Sequence, residues 1–438
     1  MARMPDAALV PFGPWPRGAN NIAREDSVPA TAFRRGVNVD VYPGGKTRRR
    51  KGHTLVDSTP ARNLWSDGEY ALCTSFDGTK LYRFVPGQPL VQLYDGFTLD
   101  SDIGYCSANQ HVRVSDGATA LRVDTTNDSV LPWGVESPPG QPSLTAADGG
   151  LDPGAYQVAI TYVRADGEES GTPLAASIDL PTGGGIRAQL SGAFVYPTGV
   201  TGINLYVTPS NGGNFQLYDT YPVGALDVTI TNKRPTRPLY TQGLERMPAG
   251  ELATLSGGRL LVAVDNLVVW SEALFFGLTN YARNYVAYSG RVTMLAAVSP
   301  GAASTGVFVA AGEKTFFLSG NDLPSAANQL SYNCGAVRGA LTYVHGDDFG
   351  VDGFPSQPLP TWLATSGVIC VGMPDGRVVS LTNGRYEMRV GDRASIAQRE
   401  LAGVNQLRVG VRSPRSLSVG VSSDSADTIL VRNGVEIP

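Results

Sequence analysis

Apolar and polar residues alternate along this chain in short runs, and tight-turn signals separate the runs. Between Gly257 and Asn321, Leu260 to Val264 and Leu267 to Trp270 flank Asp265-Asn266, while Val307 to Ala310 and Thr315 to Leu318 flank Gly312-Glu313. Each arrangement predicts a β-hairpin, because β-branched and aromatic runs on either side of a two-residue turn fit the twist of paired strands. The stretch Phe275 to Ser289 between them reads as a loop of about 15 residues without structure of its own, a length that points to function or an interface.

The same signal recurs elsewhere, around Asp67-Gly68, Asp77-Gly78, Asp116-Gly117 and Asp375-Gly376. Measured between Leu64, Asn109, Gly257, Thr305 and Ser366, the intervals are 45, 148, 48 and 61 residues. Residues 150–237 account for the long interval. There Tyr156, Val158, Ile160 and Tyr162 alternate strictly, as do Ile203, Leu205 and Val207, the pattern of a two-sheet sandwich with one wet face per sheet. Without that insertion the spacing is near that of propeller blades, each a four-stranded sheet of about 40–50 residues.

The fold expected is therefore all-β: a β-propeller with an inserted immunoglobulin/fibronectin-like β-sandwich and an extended N-terminal arm. Residues 1–62 form the arm, 63–149 the first propeller part, 150–237 the sandwich and 238–438 the second propeller part. Five blades can be counted, with room for six or seven, and a set of separate sandwiches is the competing arrangement. Within the arm, Pro11, Pro14 and Pro16 hold an open backbone around Phe12 and Trp15, and Ala32 to Val41 alternates as one strand. An arm with so little core of its own packs on a later sheet or on a neighbouring subunit.

Composition sharpens this picture. Gly 52 and Pro 30 make up about a fifth of 438 residues, well above the usual share, as many turns require. The net charge of −4 does not announce a nucleic-acid binder, but it is unevenly spread: residues 1–62 hold 11 Lys and Arg against 5 Asp and Glu, leaving 24 against 34. No apolar run has the length of a membrane span or a signal peptide, so folding in a cytoplasm is expected. Cys73, Cys106, Cys334 and Cys370 are far apart inside strand-like runs and read as buried thiols.

Motifs for chemistry are few. Gly45-Lys46-Thr47 lacks the earlier glycine of a phosphate loop, since Asp40 stands there, and GxSxG and HExxH are absent. His53, His111 and His345 have no partner at metal-ligand spacing; His345 with Asp347 and Asp348 reads as a solvated turn, and Glu168-Glu169 as exposed loop charge. No catalytic residue, metal site or cofactor is expected. The basic run Lys46, Arg48, Arg49, Arg50 and Lys51 is the one sharp feature, suited to nucleic-acid phosphates or an acidic protein neighbour. Phe275, Phe276, Tyr281 and Tyr285 form an aromatic cluster that serves a subunit interface or a glycan platform.

GPWPRGANNIAREDSVP followed by AFRRGVNVDVYPGGKTRRRKG resembles the start of bacteriophage tail nozzle or hub proteins, the packaged-DNA stabilisation proteins of short-tailed phages. Val269-Trp270-Ser271-Glu272, Arg291 to Leu295, Gly306 to Val309 and Gly376 to Thr382 agree with it. The resemblance implies a structural, non-enzymatic subunit of a homo-oligomeric, commonly hexameric ring in the virion tail, assembled in the host bacterial cytoplasm. Such a ring lies below the portal and adaptor proteins, meets tail fibres or spikes, and passes double-stranded DNA without sequence preference. Phe12 and Trp15 with the aromatic cluster would then face subunits. The rivals are a host-surface glycan-binding tail protein and a carboxylate glycosidase or lyase on a propeller.

Overall fold

A computed structural model describes residues 13–15, 17, 19–34, 36, 39–49, 58–172, 174–190, 196–224, 226–232, 236–299, 306–320, 323, 326–349, 353–382, 384–401, 404–412 and 426–430. The chain is all-β, with the repeating element of a β-propeller: a four-stranded antiparallel meander, or blade. Five blades occur among the described residues. They fall in two compact units, Val56–Tyr288 and Met1–Leu55 with Ser289–Pro438.

In the first unit, blade I runs Ala61–Ser66, Ala71–Ser75, Lys80–Arg83 and Val91–Asp95, and blade II runs Gly104–Ala108, His111–Ser115, Ala120–Asp124 and Val130–Pro132. Blade III runs Leu252–Ser256, Arg259–Val264, Leu267–Trp270 and Tyr285–Ala287. Strand alternation divides blade II between its neighbours. Val112, Val114, Leu121 and Val123 pack with Leu72 and Leu81 of blade I, while Cys106 and Ala120 pack with Leu260, Val262 and Val269 of blade III. Both faces are buried, as stacked blades require.

Between blades II and III the chain builds the sandwich. One sheet orders Ser143–Leu151, Gly184–Leu190 and Leu226–Ile230; the other orders Ala176–Leu180, Gly154–Arg164, Val200–Val207 and Gln216–Pro222. The alternating Tyr156, Val158, Ile160 and Tyr162 meet Ile203, Leu205, Ile186 and Ala188 in its core. The boundary read at residue 150 falls inside the strand Ser143–Leu151, whose mostly exposed, glycine-ended sequence SLTAADGGL carries little pattern.

The second unit holds blade IV (Val292–Ala297, Gly306–Ala311, Lys314–Ser319, Ala327–Tyr332) and blade V (Ala336–His345, Pro358–Ala364, Ile369–Gly372, Val378–Ser380). Phe308, Phe317 and Trp362 lock them together, with Phe308 and Trp362 fully buried and their rings 5.6 Å apart; truncating either would cost about 3–5 kcal/mol. Blade V's sheet continues past its first strand, where Arg338 pairs in parallel with Arg393, into Arg393–Leu401, Val404–Arg412 and Ala426–Leu430. Ala394, Ile396, Leu407 and Val409 of this extension join the core formed by Val337, Leu359, Leu363 and Val371.

The Asp-Gly turns show why these residues make hairpins. Gly117 sits at φ 92°, a left-handed value costly for other residues, while the Asp116 carboxylate accepts the Ala118 and Thr119 N–H groups at 2.9 and 2.6 Å. Asp67 does the same for Glu69 and Tyr70.

Two sequence expectations are corrected. Phe275 to Ser289 is not a structureless excursion, since Leu278–Thr279 pairs with Glu245–Arg246 and Tyr285–Ala287 is the fourth strand of blade III. Strands of two and three residues are too short to leave an alternation. Ala32 to Val41 is not one strand either. Among the described residues of that stretch Val39–Val41 is the strand, while Ala32 closes a turn on Pro29 and Phe33 bridges to Ala19.

Candidate functional site

The basic run is carried on a hairpin. Val39–Val41 pairs with Thr47–Arg49 around the turn Pro43–Gly45, where Gly44 and Gly45 take φ 79° and 76°. The Tyr42 N–H donates to the Lys46 carbonyl at 2.7 Å, and the Trp15 N–H donates to the Gly45 carbonyl at 2.9 Å. Trp15 is half-buried, edge-on to Phe33 at 5.8 Å. Lys46, Arg48 and Arg49 are exposed, with the Arg48 guanidinium 5.1 Å above the Tyr42 ring, a contact that orders the cation without removing it from water. Arg50, Lys51 and Phe12 lie outside the described residues.

The arm is fastened to the end of its own unit. Asn21 donates its backbone N–H to the Arg385 carbonyl and its side-chain amide to the Glu387 carbonyl, and it accepts the Glu387 N–H, all at 2.8–3.0 Å. Asp40, only 3% exposed, meets Arg399 at 2.8 Å. Arg48 stands directly opposite Asp40 in the hairpin, so one strand pair places an anchored carboxylate and a solvent-facing cation side by side.

The aromatic cluster is divided. Phe276 packs on the core between blades II and III, and its carbonyl accepts the Trp133 indole N–H at 2.9 Å. Phe275 is partly exposed beside the bridge to Glu272. Tyr281 and Tyr285, 41% and 49% exposed, line a groove of about 280 Å³ with Pro248, Val264, Leu267 and Val269. The Tyr281 hydroxyl donates to the Arg246 carbonyl at 3.0 Å, and burial, seconded by Glu245, pushes its pKa up. The groove is apolar, with that hydroxyl already committed.

Elsewhere several acidic residues have partners. His345 pairs with Asp347 at 3.2 Å on the surface, beside the turn Gly346–Phe349. Among the described residues no three His, Cys, Asp or Glu side chains converge as a metal site. The reading of Glu168-Glu169 as exposed loop charge is corrected. Glu168 pairs with Arg122 and Arg164, and the Glu169 side chain, 10% exposed, accepts from Thr161, Asn204 (2.8 Å) and Tyr206 (2.6 Å) and pairs with Arg237 at 3.0 Å. Thr161 lies on the strand Gly154–Arg164, Asn204 and Tyr206 on Val200–Val207, and Arg237 beyond both, so the sequence around Glu169 does not show most of them. Sequence reasoning also missed Arg113, fully buried in blade II, which donates to the Pro248 and Gly250 carbonyls. Burial lowers its pKa to about 10.

No protein-family model matches the chain, and no curated protein matches it. Among solved structures it is similar to BBS1N in complex with ARL6DN, at 12% identity and TM-score 0.32, covering 87% of this chain and 93% of that one. It is also similar to Kluyveromyces lactis Hsv2 (8%, TM-score 0.30, covering 85% and 98%) and to the Dos1 propeller (8%, TM-score 0.32, covering 82% and 80%).

Proposed function

We propose that this chain is a structural subunit of the tail nozzle or hub of a short-tailed phage, a ring that conducts and retains the packaged genome and joins the adaptor to distal tail parts. One observation carries the reading: two blades, a sandwich, then further blades in chain order, following an arm whose sequence resembles that family. Blades buried on both faces make stiff bodies suited to ring packing. The arm presents Lys46, Arg48 and Arg49 to solvent on a body that is otherwise acidic, a balance that lets a polyanion pass without being held. On this reading the protein performs no chemistry, and its partners are copies of itself, portal or adaptor proteins, fibres or spikes, and double-stranded DNA.

Light scattering on the purified protein, alone and with its tail neighbours, together with DNA retention by particles lacking it, tests the proposal. A strict monomer, and particles that keep their DNA and complete their tails without it, would sink it. The groove beside Tyr281 and Tyr285 favours a second reading as a host-glycan binder. Binding on a glycan array that disappears in Y281A/Y285A would replace the first reading with this one.

A further inference from the structure

Blade I ends in an apolar tip. The turn between its second and third strands carries Phe76 and the loop after its fourth carries Leu99, 71% and 69% exposed. The two segments are tied together: the Asp100 N–H donates to the Asp77 carbonyl at 2.8 Å, and the Arg62 guanidinium donates to that carbonyl, to the Ser101 carbonyl and to the Asp100 carboxylate. The turn is closed by the Asp77 carboxylate, which accepts the Thr79 N–H at 3.1 Å and the Ser75 hydroxyl. Single exposed apolar residues are ordinary. A braced pair held out into water is the form of a contact anchor.

The groove on blade III has the complementary form. Its apolar walls enclose about 280 Å³, and a cavity of about 150 Å³ already admits a benzene ring, so a phenyl group enters with room for a second side chain beside it. The rim is preformed, because the Tyr281 hydroxyl is held by the Arg246 carbonyl. Charge matches as well. At the tip, the Asp100 carboxylate is the more exposed member of its pair with Arg62, and Asp77 beside Phe76 is exposed too. At the groove, Arg283, between Tyr281 and Tyr285 in the chain, is the exposed member of its pair with Glu272. Tip and groove belong to the same compact unit, and blade II, packed on blades I and III, stands between them. A chain therefore cannot fill its own groove with its own tip.

We propose that Phe76 and Leu99 of one copy seat in the Tyr281 and Tyr285 groove of a second copy, with Asp77 meeting Arg283 at the margin. The occupant is a second copy because the chain carries both halves of an apolar and charge-matched contact on different blades. Such a contact is heterologous: each copy keeps one tip and one groove in use, and the series closes into a ring or runs on. That it closes rests on the nozzle reading. The contact itself does not.

Sedimentation velocity of the full chain over a concentration series tests it. F76S/L99S is expected to raise the concentration of half-assembly by roughly 30-fold, the loss of one anchor of about 2 kcal/mol. L274S, which removes another exposed apolar side chain outside the contact, leaves assembly unchanged. Y281S/Y285S lacks the groove as F76S/L99S lacks the tip, so neither assembles alone, while an equimolar mixture joins the intact groove of one to the intact tip of the other and stops at a dimer. Hydrogen exchange on the unmodified protein, independent of how the variants fold, is expected to show concentration-dependent protection of Leu267–Trp270 and Tyr285–Ala287. Assembly unaltered in F76S/L99S, a mixture of folded variants that stays monomeric, absent protection, or a groove that binds glycans while the chain stays monomeric would each overturn the inference. Open fibres that depend on Phe76 keep this contact and defeat the ring. Rings that persist in F76S/L99S keep the nozzle reading and defeat this contact.

Discussion

Asp40 and Arg399 lie 359 residues apart in sequence and 2.8 Å apart in the fold, and the carboxylate is almost fully buried by the contact. An arm with hardly any core of its own is thereby held by a charge-assisted hydrogen bond at one point and by the three hydrogen bonds of Asn21 at another. Asp40→Ala is expected to cost about 1–3 kcal/mol of arm docking, because it removes the bond and leaves Arg399 without its anion. Limited trypsin digestion checks it: cleavage after Arg24 and Arg34 should quicken while the blades stay intact.

The Glu169 network gives a second expectation, confined to the sandwich. Glu169→Ala leaves the Thr161, Asn204 and Tyr206 donors facing a void and removes the partner of Arg237, at a cost of about 2–3 kcal/mol. Burial first, and then the bond to Glu169, raise the Tyr206 pKa above the ordinary tyrosine value. In Glu169→Gln, an ultraviolet titration should therefore find Tyr206 ionising at lower pH than in the unmodified chain, though still above free tyrosine because the burial persists.

Acid should act through the turn aspartates. Burial works to raise the Asp116 pKa, but the N–H groups of Thr119, Thr98 and Ala118 outweigh it, and the net shift is downward. A carboxylate depressed in the fold adds stability that is complete above its unfolded value of about 3.9 and is lost as pH falls through the folded value. Asp116→Asn, which sets an amide against the Thr98 N–H, is expected to lower the urea midpoint at pH 7. The gap from the unmodified protein should narrow steadily below pH 4.

Blade contacts in the first unit leave no room at Gly104. A Cβ there would stand 2.0 Å from the Glu251 carbonyl oxygen, which is backbone and cannot swing aside. Gly104→Ala is expected to cost about 3 kcal/mol through separation of blades II and III, seen as a lower first transition in urea. Gly44→Ala, with open space around it, should pay only for its positive φ.

The blades were readable because their causes are local. An Asp-Gly turn such as Asp116-Gly117 and the β-branched runs beside it declare a hairpin within about ten residues, and Tyr156 to Tyr162 declares one face of a sandwich. The basic run was equally plain in composition. Its anchoring was not, because Asp40 differs in no local way from any surface aspartate until Arg399 arrives. The short strands Leu278–Thr279 and Tyr285–Ala287 were hidden by length, and the burial of Glu169 by the distances in sequence from which its donors come.

The Asp40 contact also sets an order of events during synthesis. Blade hairpins close between residues a few positions apart and can form as they leave the ribosome, whereas the arm, though translated before any blade, meets the partners of Asn21 and Asp40 only when residues 385–399 emerge. The entropy of closing so long a loop grows only with the logarithm of its length, so the delay comes from translation and not from search. Throughout the making of all five blades' first strands, the 46–49 cations and the face of Asp40 are open to other partners, and the arm is fastened only after them.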